Sequence, residues 1–134
     1  MKYILIICIA FILLTSCSGW NPVPVLINET NSTIRFSYDR HSKYDTLPNL
    51  TYCNETDLYY ICPFTKQPFR EQANWNSYFK AHPENKLSIY IINEDSLLKY
   101  GTCEILKKQI FMKRFDLTYD DLKKLNWKVV FDGK

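Results

Sequence analysis

Glycine and histidine are scarce in this sequence, and no apolar run is long enough to cross a membrane. Three glycines in 134 residues leave no glycine-rich loop that could cradle a phosphate group. The two histidines, His41 and His82, lie in polar segments, and no Cys-x-x-Cys or Cys-x-x-His spacing occurs, so we expect neither a metal site nor a cofactor. The longest apolar run has eleven residues, whereas a membrane-spanning helix needs about 20. These absences argue against nucleotide-binding, metal-dependent and multi-spanning membrane proteins.

The apolar run occupies residues 4–14 and follows a short basic start, Met1-Lys2-Tyr3. Its length is that of the core of a secretory signal peptide. The run closes with Leu14-Thr15-Ser16-Cys17, in which small residues precede a thiol and leave the preceding peptide bond accessible to a peptidase. An ordinary secretory signal that contains a cysteine by chance, or an uncleaved anchor, is the alternative interpretation.

This N-terminal pattern resembles the lipobox of bacterial lipoproteins, over residues 1–19. The resemblance implies that residues 1–16 are removed and that acyl chains on Cys17 anchor the mature protein. Each chain contributes about 0.8 kcal/mol per buried CH2, so two or three together hold a protein stably on a membrane. In that class an Asp after the cysteine retains the protein in the inner membrane. Ser18 occupies this position, which implies the outer membrane, and the lack of acidic residues in 18–22 favours its periplasmic face over the cell surface.

The mature chain has the size of one small domain. Removal of the signal peptide leaves 118 of the 134 residues, enough for a single core. We expect a lipidated tether over residues 17–23 and one globular domain over residues 24–132. The formal net charge is only +3, and the basic pairs of the second half alternate with acidic residues. This alternation indicates a solvated mixed-charge face, so we expect no nucleic-acid partner.

The five cysteines are expected to have different roles. Cys8 lies in the signal peptide and Cys17 is the lipidation site. In an oxidising compartment, Cys53 and Cys62 could form a disulfide across an eight-residue loop, which would leave Cys103 alone. The alternative is that all three are buried thiols that pack like small apolar side chains.

The first half of the domain has the patterns of β-strands. Residues 23–28 and 33–38 are two β-type runs separated by turn-forming residues, and we expect them to form a hairpin. Residues 50–53 and 58–62 are further strand candidates. Residues 63–70 contain two prolines and are expected to be irregular.

The second half contains clearer helix boundaries and the strongest strand pattern. Residues 87–92 form a run that is apolar except for Ser88 and predicts a central, buried strand. Thr118 and Asp121 have the spacing of a capping box at a helix start, and Asn126 can end that helix in the left-handed conformation. The remaining predictions are a helix over 74–80 with Trp75 and Phe79 on one face, helices over 95–100 and 102–108 capped by Asp95 and Thr102 and separated at Gly101, an extended segment over 110–115, and a closing strand over 127–131.

These elements predict an α+β domain, with a small, mainly antiparallel sheet of about five strands and short helices in the C-terminal half. A second resemblance, to a group of small lipoproteins of Bacteroides-type bacteria, covers residues 24–132 and is clearest over 87–131. It implies a place in the cell envelope and a fold, but no activity and no catalytic residue. The segments that carry it are Leu87-Ser-Ile-Tyr-Ile-Ile92, Asp95-Ser-Leu-Leu-Lys-Tyr100, Lys113-Arg-Phe-Asp-Leu-Thr118 and Asp121-Leu-Lys-Lys-Leu-Asn-Trp127.

Two short motifs match the O-glycosylation acceptor of exported proteins in such bacteria, which is an Asp, a Ser or Thr, and an apolar residue. They are Asp45-Thr46-Leu47 and Asp95-Ser96-Leu97. A three-residue motif arises often by chance, and Ser96 is equally explained as a helix-start residue. Thr46 is the better candidate because a transferase can reach a loop.

No set of residues predicts catalysis. The thiols and imidazoles show no spacing that would bring a nucleophile to a base, and helix capping accounts for Asp120 and Asp121. Aromatic residues make up 16% of the chain and are expected to fill the core, with any excess exposed as a binding face. We therefore expect a non-catalytic envelope lipoprotein with a structural or partner-binding role, in contact with an envelope protein or a glycan. The alternatives are a surface glycan-binding accessory lipoprotein and an inhibitor or immunity lipoprotein.

Overall fold

The computed structural model describes residues 22–41, 58–69 and 74–134, which contain seven strands and three helices. None of the helices in these ranges is long and apolar enough to cross a bilayer. The combination of helices with mainly antiparallel strands confirms the predicted α+β class. In chain order the elements are β1 (Val25–Asn28), β2 (Ile34–His41), β3 (Tyr59–Ile61), β4 (Lys66–Pro68), α1 (Trp75–Ala81), β5 (Lys86–Ile92), α2 (Glu94–Lys108), β6 (Lys113–Leu117), α3 (Tyr119–Lys124) and β7 (Lys128–Phe131).

The strands form two sheets rather than the predicted single sheet of about five strands. The smaller sheet has the order β4-β1-β7 and the larger sheet the order β3-β2-β5-β6. β1 and β7 are parallel, with Val25 beside Lys128 and Asn28 beside Phe131. The other neighbouring strands in the described ranges are antiparallel. β5 has a partner on each side, so the prediction of a central, buried strand over residues 87–92 is confirmed.

The predicted hairpin between residues 23–28 and 33–38 is wrong. Both runs contain strands, but β1 lies in the smaller sheet and β2 in the larger one. One edge of β1 pairs with β4 and the other with β7, so no edge remains for β2. β4 lies in the segment 63–70 that is expected to be irregular, which makes this expectation wrong as well.

The buried side chain of Asn28 forms hydrogen bonds where the chain passes from the smaller sheet to the larger one. Its amide nitrogen donates to the main-chain oxygens of Ser32 at 2.8 Å, Ile61 at 3.2 Å and Cys62 at 3.1 Å. Its oxygen accepts from the hydroxyl of Thr30 at 2.7 Å. A fully buried amide needs such partners, because leaving them unmade costs about 1–3 kcal/mol. Asn28 therefore ties the loop after β1 to the end of β3.

One apolar core is shared by both sheets and by the helices α1 and α3. Alternate residues of β1 and β7 face inward, as the period of two in a strand requires. Aromatic rings stack within this core, with centroid distances of 4.4 Å between Tyr38 and Phe69 and 5.3 Å between Phe36 and Tyr59. The buried members are Leu26, Ile34, Phe36, Ile61, Phe69, Trp75, Phe79, Leu87, Ile89, Ile91, Leu122, Trp127, Val129 and Phe131.

The first helix has the predicted position and orientation. The side chain of Asn74 accepts from the amide of Ser77 at 3.0 Å and so caps α1. Trp75 and Phe79 are buried on one face of the helix, four residues apart, as their spacing predicts.

The second helix is broken where the sequence predicts two separate helices. Gly101 has φ 73° and ψ 161°, outside the helical region. The capping residues differ from the prediction. The side chain of Asn93, and not that of Asp95, accepts from the amides of the first turn. The hydroxyl of Thr102 is buried and has no hydrogen-bond partner in the described part of the chain, so it does not cap the second segment.

The third helix begins with the predicted capping box. The Thr118 hydroxyl accepts from the Asp121 amide at 3.2 Å, and the Asp121 carboxylate accepts from the Thr118 amide at 3.0 Å. Asn126 and Trp127 follow the helix with φ of 49° and 61°. This left-handed exit, predicted at Asn126, turns the chain into β7.

The capping box makes stability depend on pH. Hydrogen bonds from the hydroxyl and then the amide of Thr118 hold the pKa of the Asp121 carboxyl below its usual value. A lowered pKa in the folded state contributes stability above the unfolded pKa, about 3.9, and this contribution is lost as pH falls through the folded pKa. We expect Asp121→Asn to lower the free energy of unfolding by about 1 kcal/mol at pH 7, measured by urea denaturation. The difference from the parent chain should shrink below about pH 3.9.

The neighbouring Asp120→Asn is the matched control for this measurement. Asp120 is exposed and forms an ion pair with Lys123 at 2.7 Å, an arrangement that contributes little. Equal pH profiles for the two variants would contradict the role assigned to Asp121.

Candidate functional site

The two ends of the sheets expose different residues. At one end lie the last residues of β1, β5 and β7 and the first residues of β2 and β6. The chain enters β1 at Val25, at the opposite end, which is named the proximal end. The distal end therefore points away from residues 22–24, through which the N-terminal segment joins the domain. The distal end comprises residues 28–35, 60–66, 92–95, 112–113 and 131–133.

Two large aromatic side chains are exposed at the distal end. Tyr60 on the edge strand β3 is 63% exposed, and Phe64 in the turn after it is 72% exposed. Phe64 has φ 54°, a conformation that a bulky side chain rarely adopts. Tyrosine, tryptophan and arginine are the residues that most often dominate the energy of a protein interface. Tyr60 and Phe64 thus have the composition and exposure of a contact surface.

A charged pair lies beside Tyr60. The guanidinium of Arg35 lies 5.7 Å from the centre of the Tyr60 ring. It also donates to both carboxylate oxygens of Glu94, at 2.7 and 3.1 Å. These hydrogen bonds raise the pKa of Arg35 and lower the pKa of Glu94. Because the pair is partly exposed, it orients the two side chains more than it stabilises the fold. The surface formed by Arg35 and Tyr60 is named the aromatic edge, and Phe64 lies at the same end of the domain beside residues 27–29.

A cleft of about 410 Å³ opens beside Glu94, between the ends of the two sheets. One wall is the loop of residues 30–33, and the other is the first turn of α2, residues 93–95. Its apolar base contains Ile34, Ile92 and Phe131, all nearly fully buried. This combination of polar walls and an apolar base is typical of small-ligand sites.

A cluster of polar side chains on the larger sheet is a second candidate for a functional site. The hydroxyl of Ser88 donates to the Asp116 carboxylate at 2.5 Å, and the Arg114 guanidinium donates to the same oxygen at 3.0 Å. Arg114 also lies over the ring of Tyr90 at 5.5 Å. Burial raises the pKa of Tyr90, and a hydrogen bond with Ser88 offsets part of this rise. Ser88 is directly opposite Asp116 in the sheet, and Tyr90 is opposite Arg114. We interpret these contacts as fixing the register of β5 against β6.

The lipidation and modification sites predicted from the sequence are only partly covered by the structure. Cys17, Cys53 and Thr46 lie outside the described residues. Cys62 is exposed and forms no disulfide with another described cysteine, and the Cys53–Cys62 disulfide stays a prediction. Ser96 lies in the first turn of α2, where its amide donates to the Asn93 side chain at 3.4 Å. This is the helix-start role that the sequence offers as an alternative to modification.

Cys103 and His82 lie on different helices. Cys103 is a partly exposed residue of α2. His82 is the exposed C-cap of α1, and its ring lies 5.7 Å from that of Tyr78. Within the described ranges no group of three His, Cys, Asp or Glu side chains could hold a metal ion.

Most of the described aromatic residues belong to the core, as the sequence predicts. The sequence does not show which aromatic residues are exposed. Arg35 and Glu94 are 59 positions apart, and only the register between β2 and β5 brings them together. Phe64 follows Pro63 in a segment without periodicity. No pattern in the sequence distinguishes its ring from a core aromatic.

Comparison with protein-family models, curated proteins and solved structures finds no match to this chain.

Proposed function

We propose that this chain is an exported lipoprotein, anchored through acylated Cys17 to the periplasmic face of the outer membrane. In this proposal its folded domain has no catalytic role and binds a partner protein through the distal end. The anchor is supported by the lipobox pattern at residues 14–17. The binding role is supported above all by one observation, the exposure of Tyr60 and Phe64 on the end of the domain opposite to the tether.

The direction of β1 favours presentation of the distal end to a partner. The amide of Val25 donates to the Trp127 oxygen at 2.8 Å, and the oxygen of Pro24 accepts from Phe69 at 3.0 Å. These bonds attach the beginning of the domain firmly at the proximal end. β1 then carries the chain about 13 Å toward the distal end, at about 3.3 Å per residue. A membrane-anchored tether that joins at the proximal end leaves the aromatic edge accessible.

The composition of the aromatic edge favours a protein partner. Tyr60 supplies a flat apolar ring with a hydroxyl, and Arg35 supplies a guanidinium that its contact with Glu94 already orients. Side chains that are ordered before binding lose less conformational entropy in a complex. Singly exposed apolar residues such as Leu98 occur on most proteins and carry no such argument.

Photocrosslinking in intact cells tests the proposal. Phe64 is replaced by p-benzoyl-phenylalanine, and the same amino acid replaces Leu125 as a matched control. Leu125 is an exposed apolar residue that caps α3 close to the proximal end. We expect a discrete protein adduct from position 64 and none of that mass from position 125, with Tyr60→Ala weakening the adduct. The identity of the adduct would separate an envelope partner from a toxin, the partner expected of an inhibitor or immunity lipoprotein.

Equal labelling from positions 64 and 125, or no adduct from position 64 in cells that export the chain, would contradict the binding role of the distal end.

A further inference from the structure

We propose that the cleft between residues 30–33 and residues 93–95 binds a neutral polyhydroxylated ligand, a saccharide. This goes beyond the proposed protein partner, because the cleft and the aromatic edge are built from different side chains. The volume of about 410 Å³ lies within the range of about 300–1,000 Å³ that is usual for small-ligand pockets.

The two walls offer complementary hydrogen-bonding groups. The amide nitrogen of Asn31 and the carboxylate of Asp95 make no side-chain hydrogen bond within the described residues, although the Asn31 oxygen accepts from Ser32 at 3.3 Å. One wall thus supplies a free donor and the other a free acceptor. Each hydroxyl of a sugar both donates and accepts, so neighbouring hydroxyls can satisfy the two walls together.

The walls are built to stay in place. Thr30 donates through its amide and its hydroxyl to the buried Asn28 side chain, at 3.0 and 2.7 Å, which fixes the loop that carries Asn31. The Asn93 side chain accepts from the amide of Asp95 at 2.7 Å, which fixes the opposite wall. Because the backbone of both walls is held before a ligand arrives, binding needs to order only the Asn31 and Asp95 side chains there.

The base of the cleft suits the carbon face of a sugar ring. Met112, which is half-exposed, supplies most of the accessible apolar surface, and the buried Ile34, Ile92 and Phe131 lie beneath it. A sugar ring presents C–H groups on its faces and hydroxyls around its edge. It can therefore cover the apolar base while its hydroxyls reach the walls, and neither surface is left without a partner.

The charges of the cleft disfavour the other ligand classes. No Lys or Arg is among the described residues that line it, and the Glu94 and Asp95 carboxylates repel an anion. Glu94 is already bonded through both oxygens to Arg35, so only Asp95 remains for a metal ion or an amine. A wholly apolar ligand would bury the polar walls without partners, which is costly.

Nuclear magnetic resonance titration of the isotopically labelled full chain, in a detergent without a sugar headgroup, tests the proposal. The probes are maltotriose, cellotriose and triacetylchitotriose, with spermidine and inorganic phosphate as charged controls. We expect at least one trisaccharide to shift the amide signals of residues 30–33 and 93–95 in a saturable way. Asn31→Ala and Asp95→Ala should each weaken this binding about tenfold, the effect of losing one hydrogen bond of about 1.4 kcal/mol.

Glu84→Ala is the matched control, because Glu84 is an exposed carboxylate in the turn after α1. It should leave the affinity unchanged, and dispersed spectra of all three variants would establish that they fold. The proposal is overturned if no trisaccharide binds at millimolar concentration, if the shifts lie outside the cleft, or if spermidine or phosphate occupies it in preference. Failure of the protein-partner proposal would be recognised separately, since the adduct from position 64 does not require Asn31 or Asp95.

Discussion

Phe36→Ala should lower the free energy of unfolding by about 3–5 kcal/mol, the usual cost of removing a buried aromatic side chain. Phe36 is fully buried and packs against Tyr59 at 5.3 Å and Phe69 at 5.8 Å. Tyr59 belongs to the larger sheet, and Phe69 follows directly after β4 of the smaller sheet. Truncation of this one ring would leave a cavity where the two sheets meet. A loss of that size is a large part of the stability of a small domain.

Urea denaturation followed by the fluorescence of the buried Trp75 and Trp127 measures this effect. Tyr60→Ala is the matched control, since Tyr60 follows Tyr59 on the same strand but faces solvent. It should cost about 1 kcal/mol or less, including the contact with Arg35. If both variants lost a similar small amount, the two sheets would not share the core described above.

Cys17→Ala should remove the protein from the outer-membrane fraction. In the proposed lipoprotein, the acyl chains on Cys17 supply the whole of the membrane affinity. Each chain contributes about 0.8 kcal/mol per buried CH2, and within the described ranges no helix could take over as a membrane span. Without the thiol no acyl chain can be attached through sulfur, so stable anchoring is lost.

Density-gradient fractionation of cells that express the parent chain or the variant measures this loss. Cys62→Ala is the matched control, because it removes an exposed thiol of the folded domain and should leave the distribution unchanged. Identical distributions of the parent chain and Cys17→Ala would contradict lipid anchoring at this residue.

The elements that the sequence predicts correctly are those with local causes. The capping box of Thr118 and Asp121, the exit at Asn126 and the break at Gly101 each depend on a few neighbouring residues. The run at residues 87–92 has large apolar side chains on both faces and Ser88 as its one polar residue, and this predicts burial without any knowledge of its partners.

The elements that the sequence predicts wrongly depend on distant partners. Residues 23–28 have the same strand pattern whether β1 pairs with β2 or with β4 and β7. The observed arrangement is stabilised by Asn28, whose hydrogen bonds reach 33 and 34 positions along the chain. β4 is three residues long and ends in proline, so it carries no periodicity and exists only because β1 offers an edge.

The candidate site was beyond prediction for the same reason. Its polar walls come from the loop after β1 and from the start of α2, and its base from β2, β5 and β7. Each of these segments has an ordinary local explanation, such as a turn or a helix start. These segments form a cleft only because the ends of the two sheets lie side by side in the folded domain.

Intact-mass spectrometry of the protein extracted from membranes tests the lipid anchor on which the orientation of the distal end depends. The account predicts a chain that begins at Cys17, lacks residues 1–16 and carries the added mass of a diacylglycerol and commonly of a further acyl chain. A chain with an unmodified Cys17, or one that retains residues 1–16, would contradict the account.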